Sequence, residues 1–228
     1  MPSRRAWLAT ALVTVVMMGV TTVLVGLRQG SSPDVEAGAA TTASSVPSTT
    51  PLPDITWSAV GGVPLPTSRT HGPRNDRDDG LAAGFSNSEP GAALAAVHLL
   101  VRTGPTVGPA VFEPTIASQA TGANVAALKL TTNEIYADTG ASPRTAAGTE
   151  VLGYRVESHS ASPSSATVDV VLTSPALRQT DRSLQTTVSL EWINGDWWIV
   201  APPLGDWGQV STPIGELPDG LQRYEDIG

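Results

Sequence analysis

Residues Leu184–Ala201 read LQTTVSLEWINGDWWIVA, and the interpretation of the whole chain starts from this stretch. Apolar and polar residues alternate on both sides of Asn194-Gly195, a dipeptide that favours a tight turn between antiparallel strands. Such a turn creates three cross-strand pairs: Ile193 with Asp196, Trp192 with Trp197, and Leu190 with Ile199. The stretch therefore predicts a β-hairpin with one apolar face, and it places Trp198 and Val200 on the opposite face.

Further strands and helices are predicted upstream of this hairpin. Alternation with a period of two predicts strands at Glu150–Ser158 and Ala166–Thr173. Helical spacing predicts helices at Gly91–Arg102 and Asn124–Ala137, with a short element around Ala110–Ala120 that Pro114 breaks. Helices followed by an antiparallel meander of about four strands predict an α+β domain, with the helices on one face of a curved antiparallel sheet.

The segments that flank these elements carry no clear periodicity. In Trp57–Phe85, Pro64 and Pro66 oppose a helix, and the charged run His71–Asp79 favours a solvated loop. An extended arm wrapped over the core is an equally favoured alternative for this segment. Beyond Pro202, Leu204 and Trp207 are expected to pin the chain to the sheet. We therefore expect a folded domain over residues 56–207 and a loosely ordered tail over 208–228.

A membrane anchor is predicted at the N-terminus, over residues 1–28. Ala6–Leu27 contains no charged residue, and as a helix it would span about 33 Å, close to the hydrocarbon thickness of a bilayer. This apolar run is longer than that of a secretory signal, and no small-x-small cleavage site follows it directly, so an uncleaved anchor is favoured over a cleaved signal. Arg4 and Arg5 before the span, against Arg28 after it, favour a cytoplasmic N-terminus and an extracytoplasmic C-terminal domain.

A linker is predicted between the anchor and the domain. Residues 29–55 consist mainly of Gly, Ser, Thr, Ala and Pro, which offer too few large apolar side chains to fold. A random coil of this length has an end-to-end distance of about 25–30 Å, so it would hold the domain clear of the lipid headgroups. A glycosylated stalk has a similar composition and stays an open alternative.

Composition and motifs argue against most catalytic and nucleic-acid functions. The chain has no Cys, so thiolate metal sites, disulfides and cysteine nucleophiles are excluded. Its net charge of -8 opposes a broad nucleic-acid surface, so no direct contact with nucleic acid is expected. Among the histidines, His98 is expected to be partly buried in a helix, His159 to be solvent-exposed, and His71 to lie in the charged loop. We therefore expect no catalytic residue, no cofactor and no metal.

Several short motifs carry a resemblance to known families. The pattern Trp-x-x-Gly-Asp-Trp-Trp-Ile-Val at 192–200, after helices, a tether and an anchor, resembles the cone-shaped nuclear transport factor 2-like domains of membrane-anchored subunits in conjugation and type IV secretion machines. Gly62–Pro66, Gly84-Phe85, Pro90–Ala92 and Gly108–Phe112 look like a family of uncharacterised actinobacterial membrane proteins from integrative mobile elements. The resemblance implies a cone-shaped domain and a structural role in a DNA-transfer or secretion assembly.

The leading hypothesis is a single-pass membrane protein, not an enzyme, whose outer domain docks onto other membrane-assembly proteins. The contact surface is expected around four residues: Glu191, Trp198, Val200 and Trp207. Partners would be the lipid bilayer, through Ala6–Leu27, and assembly proteins, with a homo-oligomer left open. The alternative is a ligand-binding or proton-transfer enzyme that uses the interior of the cone, where the candidates are Tyr136, Asp138 and Tyr154.

Overall fold

The computed structural model describes residues 54–76, 81–140, 148–161 and 164–224. The predicted anchor over 1–28 lies outside these residues, as does nearly all of the predicted linker over 29–55. Within the four described segments, no helix combines the length and the apolarity that a membrane span requires.

The described chain begins with a β-hairpin where the sequence predicted a loop. Strand β1 (Ile55–Val60) pairs antiparallel with β2 (Val63–Ser68) across Gly61-Gly62, whose positive φ angles of 57° and 84° suit the two-residue turn. The prediction of a solvated loop is wrong for these residues because both prolines occupy strand positions that need no donor. Pro64 faces Ala59 and Pro66 faces Trp57, as expected for pairs that exchange no backbone hydrogen bonds. Two short strands follow, β3 (Asn75–Asp76) and β4 (Ala82–Ala83), and they pair with each other.

Three helices come next, close to their predicted positions. Helix α1 (Glu89–Arg102) starts at Ser88, whose side chain accepts a hydrogen bond from the Gly91 amide, and all of its residues from Gly91 onward are buried. Helix α2 (Pro109–Gln119) is continuous through Pro114, so the predicted break there is wrong. Pro114 lies in the interior of the helix, where it removes one intrahelical hydrogen bond, and the packing of the buried Phe112 and Ile116 compensates for this loss. Helix α3 (Val125–Thr139) ends at Gly140, whose φ is 57°.

The central sheet is a four-stranded meander with additional short strands. Strands β6 (Glu150–Ala161), β7 (Ser164–Thr173), β8 (Ser183–Ile193) and β9 (Asp196–Val200) pair antiparallel in chain order, and a short helix, α4 (Pro175–Arg178), joins β7 to β8. The predicted hairpin register is confirmed at all three pairs. The prediction of a purely antiparallel sheet is wrong because β5 (Ala120–Thr121) pairs parallel with β9, so the sheet is mixed.

The C-terminal segment is ordered through much of its length. After two 3₁₀ turns at Pro203–Gly205 and Trp207–Val210, β10 (Ser211–Ile214) pairs with β8, and β11 (Gln222–Arg223) pairs with β6. The expectation of a loose tail over 208–228 therefore does not hold for residues 211–224. The edges of β8 and β6 offer backbone hydrogen-bond partners to the tail. The tail's own sequence has no periodicity that would indicate this pairing.

The hydrophobic core lies between α1 and one face of the sheet. Leu94, Val97, Val168, Val170 and Trp197 are fully buried in it. The predicted α+β class, with helices packed on a sheet, is confirmed. We call the face toward α1 the inner face and the opposite face the outer face.

Candidate interaction surface

The β8–β9 hairpin buries its inner face as predicted. Trp197 and Ile199 are fully buried, and the Trp192 ring packs edge-on against Trp197 with ring centroids 5.2 Å apart. This packing holds the hairpin rigidly against the core, so the residues between these positions must face outward.

Three of the predicted contact residues lie on the outer face of this hairpin. Glu191 is exposed and lies directly opposite the half-buried Trp198 in the register of β8 and β9. Val200 follows two positions along β9, but β5 partly covers it, since Thr121 pairs with it. The outer-face patch, which we define as Glu191, Trp198 and Val200, therefore consists of one exposed carboxylate beside two partly buried apolar side chains.

Trp207 does not belong to this patch. It packs against the hydrophobic core from a 3₁₀ turn, and its indole Nε1–H is buried with no hydrogen-bond partner among the described residues. The prediction that Trp207 pins the tail to the body is supported, whereas Leu204 is 72% exposed and pins nothing. Gly205 makes the close approach instead, because a Cβ there would lie 2.2 Å from the Leu128 nitrogen of α3.

Asp196 and Trp197 attach the hairpin to the segment that precedes α1. The Asp196 carboxylate accepts hydrogen bonds from the amides of Gly84 at 2.7 Å and Phe85 at 3.2 Å. Trp197 Nε1–H donates to the Ser86 carbonyl at 2.9 Å. Sequence reasoning treated Gly84-Phe85 and Gly195-Asp196-Trp197 as separate motifs, and the structure shows that they are two halves of one contact.

A buried polar network occupies the outer face farther from the hairpin turn. The carboxylate of Asp169, which is 3% exposed, accepts hydrogen bonds from Thr187 Oγ1 and Gln185 Nε2, both at 2.7 Å, and from Arg155 Nη2 at 3.1 Å. Burial alone would lower the pKa of Arg155, but its hydrogen bonds to Asp169 and Glu157 raise that pKa above its ordinary value. The local sequence around Asp169 does not indicate these partners, because they come from two other strands.

The C-terminal segment crosses this network. Between β10 and β11 the chain passes from the β8 edge to the β6 edge, and Arg155 Nη1 donates to the Asp219 carbonyl on the way. Leu221 lies over Gly153, where a Cβ would meet its side chain at 3.1 Å. The tail thus covers the outer face near Asp169 and leaves the outer-face patch uncovered by this segment.

The residues proposed for an internal active site are distributed among separate packing contacts. Tyr154 packs on Tyr224 with ring centroids 5.5 Å apart, whereas Tyr136 packs on Phe112 and Asp138 is exposed on α3. Burial, with a smaller contribution from the negative charge of Glu89, raises the pKa of Tyr154 above its ordinary range. Burial, with a smaller contribution from Tyr154, also raises the pKa of Tyr224. Both phenols are therefore neutral at physiological pH.

The three histidines occupy different surroundings. His98 lies in a helix as predicted but is fully rather than partly buried, and its Nε2 lies 2.8 Å from the Pro66 carbonyl. His159 was predicted to be exposed, but it is partly buried and packs edge-on against Trp197 because its strand continues past the predicted end. His71 Nδ1 lies 3.1 Å from Ser86 Oγ beside the start of α1. Within the described segments, no group of three or more His, Asp or Glu side chains is arranged to hold a metal ion.

Comparison with known proteins identifies one matching family. No curated protein is significantly similar to the chain, and neither is any solved structure. One family model, described as Domain of unknown function (DUF8175), matches residues 24–220, which is most of the chain. The protein therefore belongs to the DUF8175 family.

Proposed function

We propose that this protein is a single-pass membrane protein whose extracytoplasmic α+β domain is a docking module in a conjugation or type IV secretion-like assembly. Its role is structural and not enzymatic: the domain binds neighbouring membrane proteins through the outer-face patch. The predicted anchor and linker would confine the domain to a thin layer at the membrane and so raise its effective concentration for those neighbours.

The observation that carries this proposal is the contrast between the two faces of the β8–β9 hairpin. The inner face consists of Leu190, Trp197 and Ile199, each at most 1% exposed. These residues therefore pack in the core of the domain and are not accessible to a partner. On the outer face, an exposed Glu191 lies beside a half-buried Trp198. Tryptophan is among the residues that most often dominate binding energy at protein interfaces, and here a rigid hairpin presents it on the outer face.

The finer fold description belongs to the same proposal. We infer that the domain is a variant of the cone-shaped nuclear transport factor 2-like fold. The order of the elements supports this, since α1, α2 and α3 precede the meander β6–β9, and α1 packs on the inner face of the sheet. The buried Leu94, Val97 and Val170 fill the space beneath that sheet, which favours a surface function over an internal one.

Site-specific photocrosslinking of the full-length protein in its own cells tests the proposal. A photoreactive amino acid at position 198 is compared with one at Gln179, an exposed position just after α4. We expect crosslinks from position 198, and not from position 179, to membrane proteins whose genes lie beside those of a coupling ATPase or a relaxase. Identical products from both positions, or recovery of the protein in the soluble fraction after cell lysis, would contradict the proposal.

A further inference from the structure

Strand β1 presents a free edge. The two-residue turn at Gly61-Gly62 makes Val60 and Val63 a hydrogen-bonded pair, so the pairs between β1 and β2 alternate from there. Ile55, Trp57 and Ala59 then fall in the pairs that exchange no hydrogen bonds, and the two prolines opposite Trp57 and Ala59 agree with this alternation. The backbone N–H and C=O groups of these three residues therefore point away from β2.

Among the residues that the structure describes, these outward groups have no hydrogen-bond partner. Among the described residues, β1 and β2 form a sheet of two strands only, and the amides of Trp57 and Ala59 donate no hydrogen bond. Ala59 is exposed and the Trp57 side chain is 50% exposed, so the edge is open to solvent. Exposed strand edges are templates for pairing with another strand.

The β1 edge also lacks the features that usually prevent such pairing. It has six residues in a regular register without a bulge, and it contains neither a proline nor a charged side chain. The opposite edge of the hairpin is blocked, because Pro64 and Pro66 have no N–H and the Pro66 carbonyl lies 2.8 Å from His98 Nε2. On the long strand β6, β11 covers part of the outer edge and two irregularities in register interrupt its pairing with β7. Of the strands in the described part of the chain, β1 alone combines length, regularity and absence of charge and of proline.

The distribution of charge and the register of β1 favour a second copy of this chain as the occupant. Two copies with a net charge of -8 each repel one another over most of their surfaces. The hairpin Ile55–Ser68 contains no charged residue, so two hairpins can approach without like-charge contact. The edge is also self-complementary: antiparallel pairing of two β1 strands about a twofold axis at Trp57 aligns Ile55 of each copy with Ala59 of the other.

We infer that β1 pairs with β1 of a second copy, forming a four-stranded ribbon with Trp57 on the twofold axis. The three outward residues of each strand would exchange about six backbone hydrogen bonds across the axis. A six-residue edge buries less than the roughly 1,000 Å² that a stable interface needs, so the pairing is a weak one that tethering to a common membrane would strengthen. The pairing of β1 with β1 does not depend on which proteins bind the outer-face patch.

Disulfide crosslinking tests this register, because the chain contains no cysteine and each introduced thiol is therefore unique. Full-length Trp57→Cys protein is oxidised in its native membranes, where opposite Cα atoms in such a pair lie about 5.5 Å apart, within disulfide range. We expect at least tenfold more disulfide dimer than with Thr67→Cys, on the far strand of the hairpin. Mixed membranes that contain Ile55→Cys and Ala59→Cys chains with different tags should give at least tenfold more of the mixed dimer than of either homodimer.

A variant that blocks the β1 edge distinguishes strand pairing at this edge from chance proximity of two chains in the membrane. Ala59→Pro removes an outward N–H that bonds nothing within the hairpin, and it should lower the yield of Trp57→Cys dimer at least tenfold, whereas Ala59→Thr should not. Equal yields from Trp57→Cys and Thr67→Cys, or a dimer that Ala59→Pro leaves unchanged, would overturn the inference. A Trp57→Cys product joined to a different protein would overturn it as well. The inference rests on the membrane anchor of the proposed function, but none of these readouts involves Glu191 or Trp198, so the pairing of β1 and the docking role of the outer-face patch fail or survive separately.

Discussion

Substitution of Asp196 by Asn should destabilise the domain, because this side chain connects the β8–β9 hairpin to the start of α1. Its carboxylate accepts three backbone hydrogen bonds, from Gly84 at 2.7 Å, from Trp197 at 2.9 Å and from Phe85 at 3.2 Å. A hydrogen bond to a charged group contributes about 1.5–3 kcal/mol. Asparagine keeps one acceptor oxygen, replaces the other by a donor, and removes the charge from the bonds that remain.

The expected loss follows from these contacts. One or two of the three bonds are lost and the side chain is only partly buried, so the free energy of unfolding should fall by about 2–4 kcal/mol. In a domain of this size, that corresponds to a fall of about 6–12 °C in Tm. Thermal unfolding of the purified full-length protein, followed by near-ultraviolet circular dichroism, measures it directly.

The matched control is Glu191→Gln, which removes the same charge from the other strand of the same hairpin. Glu191 is exposed and takes part in no ion pair among the described residues, so its Tm should change by less than about 2 °C. If Asp196→Asn unfolds within about 2 °C of the wild type, the contact between the hairpin and residues 84–86 does not stabilise the fold and the reasoning is wrong.

Three further predictions concern the tail, the buried network and the response to alkaline pH. Gly205→Ala places a Cβ 2.2 Å from the Leu128 nitrogen at a φ of 70°, and it should cost about 3 kcal/mol in urea unfolding. Gly195→Ala, with φ at 85° and nothing within 4 Å, should cost only about 1–2 kcal/mol, and equal costs would refute the close approach to α3. Asp169→Ala removes three hydrogen bonds that partly exposed or exposed donors make to a buried carboxylate, and it should lower the free energy of unfolding by about 2 kcal/mol in the same assay; a loss below about 1 kcal/mol would show that the network is solvated. The pKa of Tyr224 is raised by folding, so its contribution to stability is complete below pH 10 and falls at higher pH, where the unfolded chain ionises first. Tyr224→Phe should therefore remove about 1.4 kcal/mol per pH unit from the slope of unfolding free energy above pH 10, and an unchanged slope would contradict the burial of this phenol.

Local sequence signals determined much of the fold. Alternation around Asn194-Gly195 was sufficient to align Trp192 with Trp197, because a two-residue turn fixes the register of both strands. Helical spacing was sufficient to locate α1, whose predicted start at Gly91 lies two residues after the observed start at Glu89, because that spacing is set by residues in neighbouring turns. The same alternation placed Trp198 and Val200 on the face opposite the core.

Features that depend on distant partners were not predictable in this way. The prolines of β2 suggested a loop, since nothing in the local sequence shows that their missing amides would point away from β1. The tail carried no periodicity, yet residues 211–214 and 222–223 became strands beside edges that β8 and β6 provide. The contact of Asp196 with Gly84 joins residues more than a hundred positions apart, and no pattern within either segment indicates it.

The difference between the features that the sequence predicted and those that it did not has a physical cause. A turn, a cap or an alternating strand is selected by interactions among residues a few positions apart, so its signal is present in any short window of the chain. Backbone amides at a strand edge can stay unpaired, as at β1, or become paired, as at β6 and β8. Which of the two occurs depends on where the other segments of the chain lie. The sequence alone therefore determined the hairpin and its two faces, and only the tertiary structure decided which strand edges and surfaces stay open.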